Sequence, residues 1–600
     1  MCIMDFNKEQ LEAINHKDGA SIVIAGAGSG KTTVILNRIK NLIHNENVNQ
    51  KDILVISFTA KSASELGSKL SNNFLNDVKV GTFHAICREI LKNEGHTNIN
   101  CQPDQYKVKT NCFEDVIGRK ANINLKDIMS FIGFQKNSMV KYNGDFVPKE
   151  SKYTEYELRK CYENYEKYKT NNRMYDFDDQ LLLCLDVVRN NPKKYCWKYV
   201  LVDECQDNNV IQNELIREWT EDSNIMVVGD FRQSIYAFRG AKPELFMNFY
   251  QYYPSTKVIN LTTNYRSLNN IVDYSNKFIK GYFSDYEYYK DSISNEKVNG
   301  IISSDIFIDR KEESLKVATM VEELLKQNVK PSEIAILYRN NSHSDNIEYE
   351  LGRRNVPYDI TNNGSFFERK EVKGIISILR LILNLSDDEA FENVFTKLRC
   401  HPVNFFRNVL ISDLKLVTGR NNQCLFEAFS DYRFDESYQN NNKKTFVDYI
   451  YRLKLQNEKG ISIDKLIDNI RKMFKIDEYI ESEYPTEESR KDRFESIENI
   501  KKFIKGNNLQ SFIDYTMQTN KRKHNKNAVQ MMTIHGSKGL EFDNVFVVGM
   551  EDGKFPSYKA DISEEARLMY VACTRPRKFL HLSSIQGNEF MEKYLNAKNE

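Results

Sequence analysis

The sequence predicts an α/β protein built on parallel sheets. Short, continuous apolar runs, such as Ser21–Ala25 and Tyr199–Val202, are typical of strands that are buried on both faces of a parallel sheet. They alternate with helical patterns in the first part of the chain, and strand-like runs return near its end, at Val529–Thr533, 544–548 and 579–582. Two long segments between these regions lose the alternation and carry amphipathic helical patterns. We therefore expect two split sheets, each interrupted by a helical insertion.

The chain is too long for a single core, because it has 600 residues and domains usually contain about 100–200. The changes of pattern predict two sheet domains and two insertions. These are a first sheet domain at 1–84 and 175–262, its insertion at 85–174, a second sheet domain at 263–380 and 527–600, and its insertion at 381–526.

The composition excludes several classes of protein. Lys and Arg number 85 against 84 Asp and Glu, and this balance excludes a strongly basic coating protein while remaining compatible with a local basic groove. The 11 cysteines are scattered without a Cys-x-x-Cys pair, which indicates reduced cytoplasmic thiols and no zinc or iron–sulfur site. The most apolar stretch, 375–385, contains Arg380 and is far shorter than the ~20 residues of a membrane span. We expect a cytoplasmic protein without membrane contact, whose catalytic metal arrives with a ligand.

A glycine-rich turn follows the first strand and is the strongest local signal. The strand Ser21–Ala25 runs into Gly26, Ala27, Gly28, Ser29, Gly30, Lys31 and Thr32, and apolar residues then recur at helical spacing. Backbone N–H groups of such a turn and the N-terminus of the helix can hold phosphates, Lys31 can reach the β and γ oxygens, and Thr32 can ligate Mg²⁺. Ala25 replaces the first glycine of the usual pattern. The turn predicts binding of a nucleoside triphosphate.

Two acids follow a second buried strand. Tyr199–Val202 is wholly apolar and ends at Asp203 and Glu204, whereas a surface strand would alternate. In combination with the phosphate loop, Asp203 is placed to hold Mg²⁺ through water and Glu204 to polarise the attacking water. The sequence thus predicts a site that hydrolyses the nucleotide.

Further motifs narrow this prediction. The segments DECQD at 203–207 and VGDFRQSIYAFRG at 228–240 resemble the UvrD/Rep/PcrA group of superfamily 1 helicases. Other motifs of that group appear in its order from residue 6 to residue 575. They are FTAK at 58–61, GTFH at 81–84, DFDD at 176–179, NYRS at 264–267, ILYR at 336–339, FFERKE at 366–371, TIHGSKGLEF at 533–542, EEAR at 564–567 and YVACTR at 570–575.

The resemblance implies two RecA-like P-loop NTPase domains with ATP and Mg²⁺ between them. It implies that Gln233 senses the γ-phosphate and that Arg266 and Arg575 are arginine fingers from the second domain, a role that suits a guanidinium fork. Gln10 resembles the residue that reads adenine, Tyr265 the one that stacks on it, and Glu541, after Gly539, a ribose contact. Thr33 stands where relatives carry an Arg that covers the other side of adenine, and Arg38 is a conceivable substitute.

The resemblance also implies a track for single-stranded DNA. Phe58, Tyr236 and Phe238 fall at base-stacking positions, although Phe238 stands where the family often has Trp. The alternative for these aromatics is packing on the sheet. The candidates for contacts with the DNA backbone are Thr59, Thr82, His84, Arg239, Thr533 and His535.

The leading prediction from the resemblance is an ATP-dependent 3′→5′ DNA helicase and single-strand translocase that acts on single-stranded and 3′-tailed duplex DNA. An alternative is an ATP-gated DNA-binding subunit that regulates a separate nuclease or repair partner without processive unwinding. The short stretch after Arg575 keeps this alternative open, whereas the acids, the Gln and both arginines favour turnover. An RNA-directed motor is a weaker rival.

Overall fold

A computed structural model describes residues 6–96, 103, 105–118, 123–220, 224–360, 366–406, 410–421, 423–484, 487–504, 506–521, 527–558 and 560–596. The predicted α/β class is confirmed, because the chain forms two six-stranded sheets whose neighbouring strands are all parallel. Among the described residues, we find no helix with the length and apolar character that crossing a membrane requires.

The first sheet has the order β3-β2-β4-β5-β1-β6. Its strands are β1 (Ser21–Ala25), β2 (Ile53–Ile56), β3 (Lys79–Gly81), β4 (Tyr199–Val202), β5 (Ile225–Gly229) and β6 (Lys257–Leu261). The helices of this half are α1 (Lys8–Ile14), α2 (Lys31–His44), α3 (Ala60–Ser71), α4 (Phe83–Asn93), α5 (Gln105–Val108), α6 (Glu114–Ile117), α7 (Leu125–Asn137), α8 (Glu155–Asn172), α9 (Phe177–Asn190), α10 (Val210–Trp219), α11 (Pro243–Met247) and α12 (Phe249–Tyr252).

Each face of this sheet lies in a different hydrophobic core, which explains the continuous apolar runs. Ile22 and Ile24 of β1 pack in one core with α4, α9 and α10, whereas Val23 and Ala25 pack in the other with α1, α2 and α3. The carboxyl ends of β1, β4 and β5 meet at one edge because the strands are parallel neighbours. The phosphate loop and the two acids therefore converge there.

The second sheet has the order β11-β12-β10-β13-β14-β9, and a two-stranded ladder, β7 with β8, precedes it. The strands are β7 (Thr263–Asn264), β8 (Ile293–Ser294), β9 (Ile301–Phe307), β10 (Ile334–Tyr338), β11 (Tyr358–Ile360), β12 (Val529–Thr533), β13 (Phe542–Met550) and β14 (Pro576–Ile585). The helices are α13 (Asn269–Phe283), α14 (Arg310–Lys326), α15 (Ser344–Arg353), α16 (Lys370–Leu383), α17 (Asp388–Thr396), α18 (Leu410–Asn421), α19 (Leu425–Asp431), α20 (Ser437–Glu458), α21 (Ile463–Met473), α22 (Ile476–Glu483), α23 (Glu487–Ile500), α24 (Leu509–Lys521), α25 (Ile562–Cys573) and α26 (Glu589–Asn596).

Two of the expected boundaries fall inside helices and need correction. The boundary at 84/85 cuts α4, whose Phe83, Ile86 and Ile90 pack in the core of the first sheet. The boundary at 380/381 cuts α16, which is apolar on most of its sides and shares one helical core with α17, α20 and α21. That core already begins at Phe366. In both cases the expected boundary assigned part of a helix to one region, whereas the buried contacts of that helix lie in the other region.

Candidate functional site

The phosphate loop between β1 and α2 lies against the segment 264–266. Gly28 and Gly30 have φ values of +69° and +83°, a region that glycine adopts without strain. A Cβ on Gly28 would lie 2.6 Å from the Cβ of Arg266, and the Gly28 carbonyl accepts a hydrogen bond from the Tyr265 N–H at 2.9 Å. The loop is therefore packed against a backbone that leads into the second half of the chain.

Lys31 and the acid pair contact each other at the end of β4. The Lys31 Nζ lies 3.2 Å from Glu204 Oε1, and the Asp203 carboxylate accepts a hydrogen bond from the Glu204 N–H at 3.0 Å. Burial and the adjacent Glu204 raise the pKa of Asp203 to about 7. Burial also raises the pKa of Glu204, but the charges of Lys31 and Lys538 outweigh it and lower that pKa to about 2. Among the described residues, Glu204 thus forms an ion pair with Lys31, whereas Asp203 forms none.

Mg²⁺ fits the residues that the sequence assigned to it. The buried Asp203 carboxylate lies beside Glu204, and burial with this second negative charge raises its pKa, so a cation beside it would stabilise its charged form. Thr32 adds a hydroxyl in the first turn of α2, after the glycine-rich loop that the sequence predicts to hold phosphates. Carboxylate, hydroxyl and phosphate oxygens are the hard ligands that Mg²⁺ prefers.

Gln233 and two arginines meet across the two halves of the chain. Arg575 is only 1% exposed, and its Nη2 donates to Gln233 Oε1 at 3.1 Å. Arg266 donates from Nη1 to the Thr574 carbonyl at 3.1 Å and from Nε to Glu541 Oε2 at 2.7 Å. Burial and the positive charge of Arg266 lower the pKa of Arg575 to about 9. Two guanidinium groups in such an environment favour an anion between or beside them.

The residues expected around adenine have different surroundings. The Gln10 side chain is buried and its Nε2 donates to the Ser29 carbonyl at 3.1 Å, so it also fixes the phosphate loop. Tyr265 is 44% exposed and offers a free face. Gly539 has a φ of +83° and precedes Glu541 by two residues. Thr33 lies half-buried in the first turn of α2.

The suggestion that Arg38 substitutes for the missing Arg at position 33 is wrong. Arg38 is buried, and its guanidinium donates to the carbonyls of Ile14 and Lys17 at 3.3 and 2.9 Å. It also forms an ion pair with Glu46 at 2.9 Å. These contacts hold the guanidinium between α1 and α2, so it serves packing there.

The aromatic residues assigned to DNA form a connected row. Phe58 stacks on Tyr236 with ring centroids 5.2 Å apart, Tyr236 contacts Phe238 at 6.1 Å, and Phe238 contacts His535 at 5.8 Å. The Arg239 guanidinium lies over the rings of Tyr236 and Phe238 at 5.4 and 5.5 Å. Phe238 is 55% exposed, whereas a ring that served core packing would be buried. The row therefore combines stacking surfaces with a cation, as binding of a single strand requires.

The hydroxyl residues of the expected track all begin helical segments. Thr59, Thr82 and Thr533 accept hydrogen bonds from the backbone N–H groups of Ser62, Ala85 and Gly536. These helical starts place further backbone N–H groups nearby, and such positions attract phosphates.

The pKa values of the two histidines of the expected track are both lowered. Burial lowers the pKa of His84, whose ring contacts the exposed Phe177 edge-on at 6.0 Å. Burial and the charges of Arg339, Arg239 and Lys538 lower the pKa of His535 to about 4. Both rings can therefore act as hydrogen-bonding groups without a charge.

Lys538 is a candidate functional residue that the sequence reasoning missed. Its Nζ forms an ion pair with Asp207, donates to the Gln233 carbonyl at 2.7 Å and lies 5.0 Å from the centroid of the Tyr236 ring. One side chain thus contacts the nucleotide side and the aromatic row. The signal was present in the sequence, since Lys538 lies inside the motif that supplied Thr533, His535 and Glu541.

Comparison with known proteins identifies the family. A family model described as the UvrD/REP helicase N-terminal domain matches residues 6–254, and one described as the UvrD-like helicase C-terminal domain matches residues 259–587. The chain belongs to the UvrD/Rep helicase family. The expected resemblance is therefore confirmed, and the two parallel sheets are the RecA-like domains of a UvrD/Rep helicase.

Curated relatives of this UvrD/Rep chain cover nearly all of it. It is 32% identical to the ATP-dependent DNA helicase Rep of Buchnera aphidicola subsp. Schizaphis graminum, over 97% of this chain and 94% of the relative. It is 28% identical to the ATP-dependent DNA helicase PcrA of Staphylococcus epidermidis, over 97% of this chain and 83% of that protein. The similarity thus includes both sheets and both helical regions.

Proposed function

We propose that the chain is an ATP-dependent DNA helicase that moves along single-stranded DNA in the 3′→5′ direction and unwinds 3′-tailed duplexes. The observation that carries the proposal is the continuous path from Gln233 through Lys538 to Tyr236. It joins the residues assigned to the γ-phosphate to those assigned to DNA bases. The names of the relatives support DNA as the substrate, and the polarity follows the family resemblance.

In this proposal the nucleotide lies between the two sheets. Ala25 and Gly26 lead into the phosphate loop, and the loop amides hold the phosphates. Lys31 moves from Glu204 to the β and γ oxygens when ATP enters, which frees Glu204 to accept a proton from the attacking water. Thr32 and Asp203 would hold Mg²⁺, which supplies charge neutralisation at the phosphates. Gln10, Tyr265, Gly539 and Glu541 hold the nucleoside.

The arginine positions give hydrolysis a mechanical consequence. Arg266 and Arg575 belong to the half of the chain that carries the second sheet, so the γ-phosphate attracts that half toward the phosphate loop. After hydrolysis this attraction weakens, and the two halves can separate. Lys538 belongs to the half that moves and contacts Tyr236 of the aromatic row. Each cycle of hydrolysis therefore changes the contacts between the row and the bases.

The proposed track is insensitive to sequence. Phe58, Tyr236 and Phe238 stack on bases, and every base has a face for stacking. Thr59, Thr82, His84, Arg239, Thr533 and His535 contact the DNA backbone, which carries no base identity. We propose that the motor domains consist of the two sheets with their flanking helices, and that α5–α8 and α16–α24 are the insertions.

Strand displacement tests the proposal. The purified chain is given duplexes with a 3′ tail, a 5′ tail or no tail, with ATP and Mg²⁺, and the Glu204→Gln variant is the control. We expect displacement of the 3′-tailed duplex only, and none with the variant. Unwinding from the 5′ tail would contradict the polarity. DNA-stimulated hydrolysis without any displacement would favour the regulatory subunit instead.

A further inference from the structure

A buried ion pair lies in the turn that follows β5, directly before Gln233. Asp230 and Arg232 are 0% and 2% exposed. Arg232 Nε lies 2.7 Å from Asp230 Oδ1, and the Arg232 N–H donates to the same oxygen at 3.1 Å. Oδ1 is therefore fully used by Arg232. Removing the guanidinium would leave a buried carboxylate without its cation, which is costly.

The other oxygen of Asp230 holds the side chain of Gln233. Gln233 Nε2 donates to Asp230 Oδ2 at 2.8 Å, and Gln233 Oε1 accepts from Arg575 at 3.1 Å. An amide has one end that only donates and one that only accepts. Because a carboxylate accepts, Asp230 selects the nitrogen end and turns the carbonyl end toward Arg575.

Arg232 also contacts three segments that surround the nucleotide site. Its Nη1 donates to the Lys290 carbonyl at 3.3 Å, and its guanidinium carbon lies 5.4 Å from the centroid of the Tyr570 ring on α25. A Cβ placed on Gly26 would lie 3.0 Å from its Nη2, so the guanidinium supports the start of the phosphate loop. The neighbouring carbonyl of Phe231 accepts a hydrogen bond from Arg567 at 3.2 Å, which ties the same turn to α25.

We infer that Arg232 is a positioning residue for hydrolysis, which acts through Asp230 to hold the Gln233 amide in the orientation that faces Arg575. The inference rests on the proposed role of Gln233 as the γ-phosphate sensor. Arg232 is buried, and the contacts described above are all with protein groups. It therefore acts without touching the substrate. Its planar guanidinium donates from several fixed directions and so sets the orientation of the Asp230 carboxylate, which a single ammonium group cannot do.

The test compares Arg232→Lys with a matched control, Arg369→Lys. Arg369 is likewise buried and forms an ion pair with Asp345 at 2.5 Å. Its guanidinium also donates hydrogen bonds to Ser344 of α15 and Ser496 of α23, which are not residues of the proposed nucleotide site. At saturating single-stranded DNA we expect Arg232→Lys to lower kcat about 10- to 100-fold, since misplaced groups lose rate on that scale. Its KM for ATP should stay within about threefold, because Lys31 and the loop amides remain. Arg369→Lys should leave both constants unchanged.

A double-mutant cycle with Gln233→Ala separates this inference from the proposed function. If Arg232 acts through Gln233, Arg232→Lys should add no further loss of kcat in the Gln233→Ala background. Independent, multiplied losses would overturn the inference. Wild-type kcat in Gln233→Ala would instead overturn the sensor role on which it rests.

Thermal melting decides whether Arg232 is merely structural. We expect Arg232→Lys and Arg369→Lys to lower Tm by similar amounts, with the loss of kcat confined to the former. An equal loss of Tm with wild-type kcat would overturn the inference. So would failure of Arg232→Lys to fold, since the residue would then serve the fold itself.

Discussion

At the scale of single residues, the ion pair between Lys31 and Glu204 joins two neighbours with different proposed tasks. The Lys31 Nζ lies 3.2 Å from Glu204 Oε1, and a bound phosphate would compete with this carboxylate for Lys31. On the proposed roles, Lys31→Ala removes a phosphate contact, whereas Glu204→Gln removes the carboxylate that activates water and leaves Lys31 in place.

We expect both variants to stop turnover but only Lys31→Ala to lose ATP affinity. In Glu204→Gln the affinity should persist, since Lys31 no longer has to leave a carboxylate. The measurement is equilibrium binding of a fluorescent ATP analogue beside steady-state hydrolysis. An equal loss of binding in both variants would contradict the assignment.

The second prediction at this scale concerns Thr33, which stands where the family resemblance implies an Arg. In the proposed adenine site Tyr265 covers one side of the base, and the contacts of Arg38 prevent it from supplying the guanidinium that the family resemblance implies on the other side. An Arg over an aromatic base contributes about 0.5–2 kcal/mol. Thr33→Arg should therefore lower the KM for ATP by roughly 2- to 30-fold with little change in kcat.

The measurement is KM for ATP and for GTP at saturating single-stranded DNA, with Thr33→Lys as the control, since it adds charge without a planar group. We expect the arginine to favour ATP over GTP more strongly than the lysine does. Unchanged KM values for both nucleotides would refute the idea of a missing contact.

At the scale of elements, the row of Phe58, Tyr236 and Phe238 is a surface that spans two segments of the first sheet domain. Phe238→Ala should weaken binding of single-stranded DNA by about 1–3 kcal/mol and slow translocation, with basal hydrolysis nearly unchanged. Phe74→Ala is the control, because Phe74 is 86% exposed in the same domain and lies outside the row. Unaltered DNA binding in Phe238→Ala would assign Phe238 to packing.

A buried ion cluster at the start of α9 connects this helix to α7 and α8, which belong to the proposed insertion of the first domain. Lys136 of α7 and Lys169 of α8 contact Asp176 at 2.7 and 3.0 Å. Burial raises the pKa of Asp176, but the two lysine charges outweigh it and hold the pKa well below its usual range. Lys136→Met removes one of the two lysines that contact Asp176 and Asp179, so we expect it to cost up to about 3–5 kcal/mol in the free energy of unfolding.

Urea unfolding at pH 7 and pH 3 measures this effect. Because the folded pKa of Asp176 is depressed, its stabilisation is present above the unfolded value of about 3.9 and is lost as the pH falls toward the folded value. The difference between wild type and Lys136→Met should therefore shrink on acidification. Lys160→Met, at an exposed pair with Glu163 on α8, is the control and should unfold like the wild type.

At the scale of the whole molecule, Lys538 connects hydrolysis with DNA binding. It belongs to the second half of the chain, yet its contacts are with Asp207, Gln233 and Tyr236 of the first half. DNA across both halves should keep this contact and the 3.1 Å contact between Arg575 and Gln233 in place. We therefore expect weak hydrolysis by the chain alone and strong stimulation by single-stranded DNA.

Lys538→Met should reduce that stimulation about fivefold or more, the range of a coupling free energy of 1 kcal/mol and above. Basal hydrolysis and nucleotide-free DNA affinity should change much less. The control is Lys578→Met, a 65% exposed side chain that pairs with Asp543 in the second half. Full stimulation in Lys538→Met would show that the coupling follows another route.

The sequence by itself predicted the strands that are continuous apolar runs, such as β1 and β4, together with the phosphate loop, the acid pair and the family. Each depends on neighbours in the chain: a strand buried on both faces must be apolar throughout, and a phosphate loop needs its glycines directly before Lys31. Only the tertiary structure showed that α4 and α16 continue across the expected boundaries, since their apolar faces match surfaces distant in sequence. It alone paired Lys538 with Asp207, 331 positions apart, and Arg575 with Gln233, because such contacts depend on how two separately folded sheets meet.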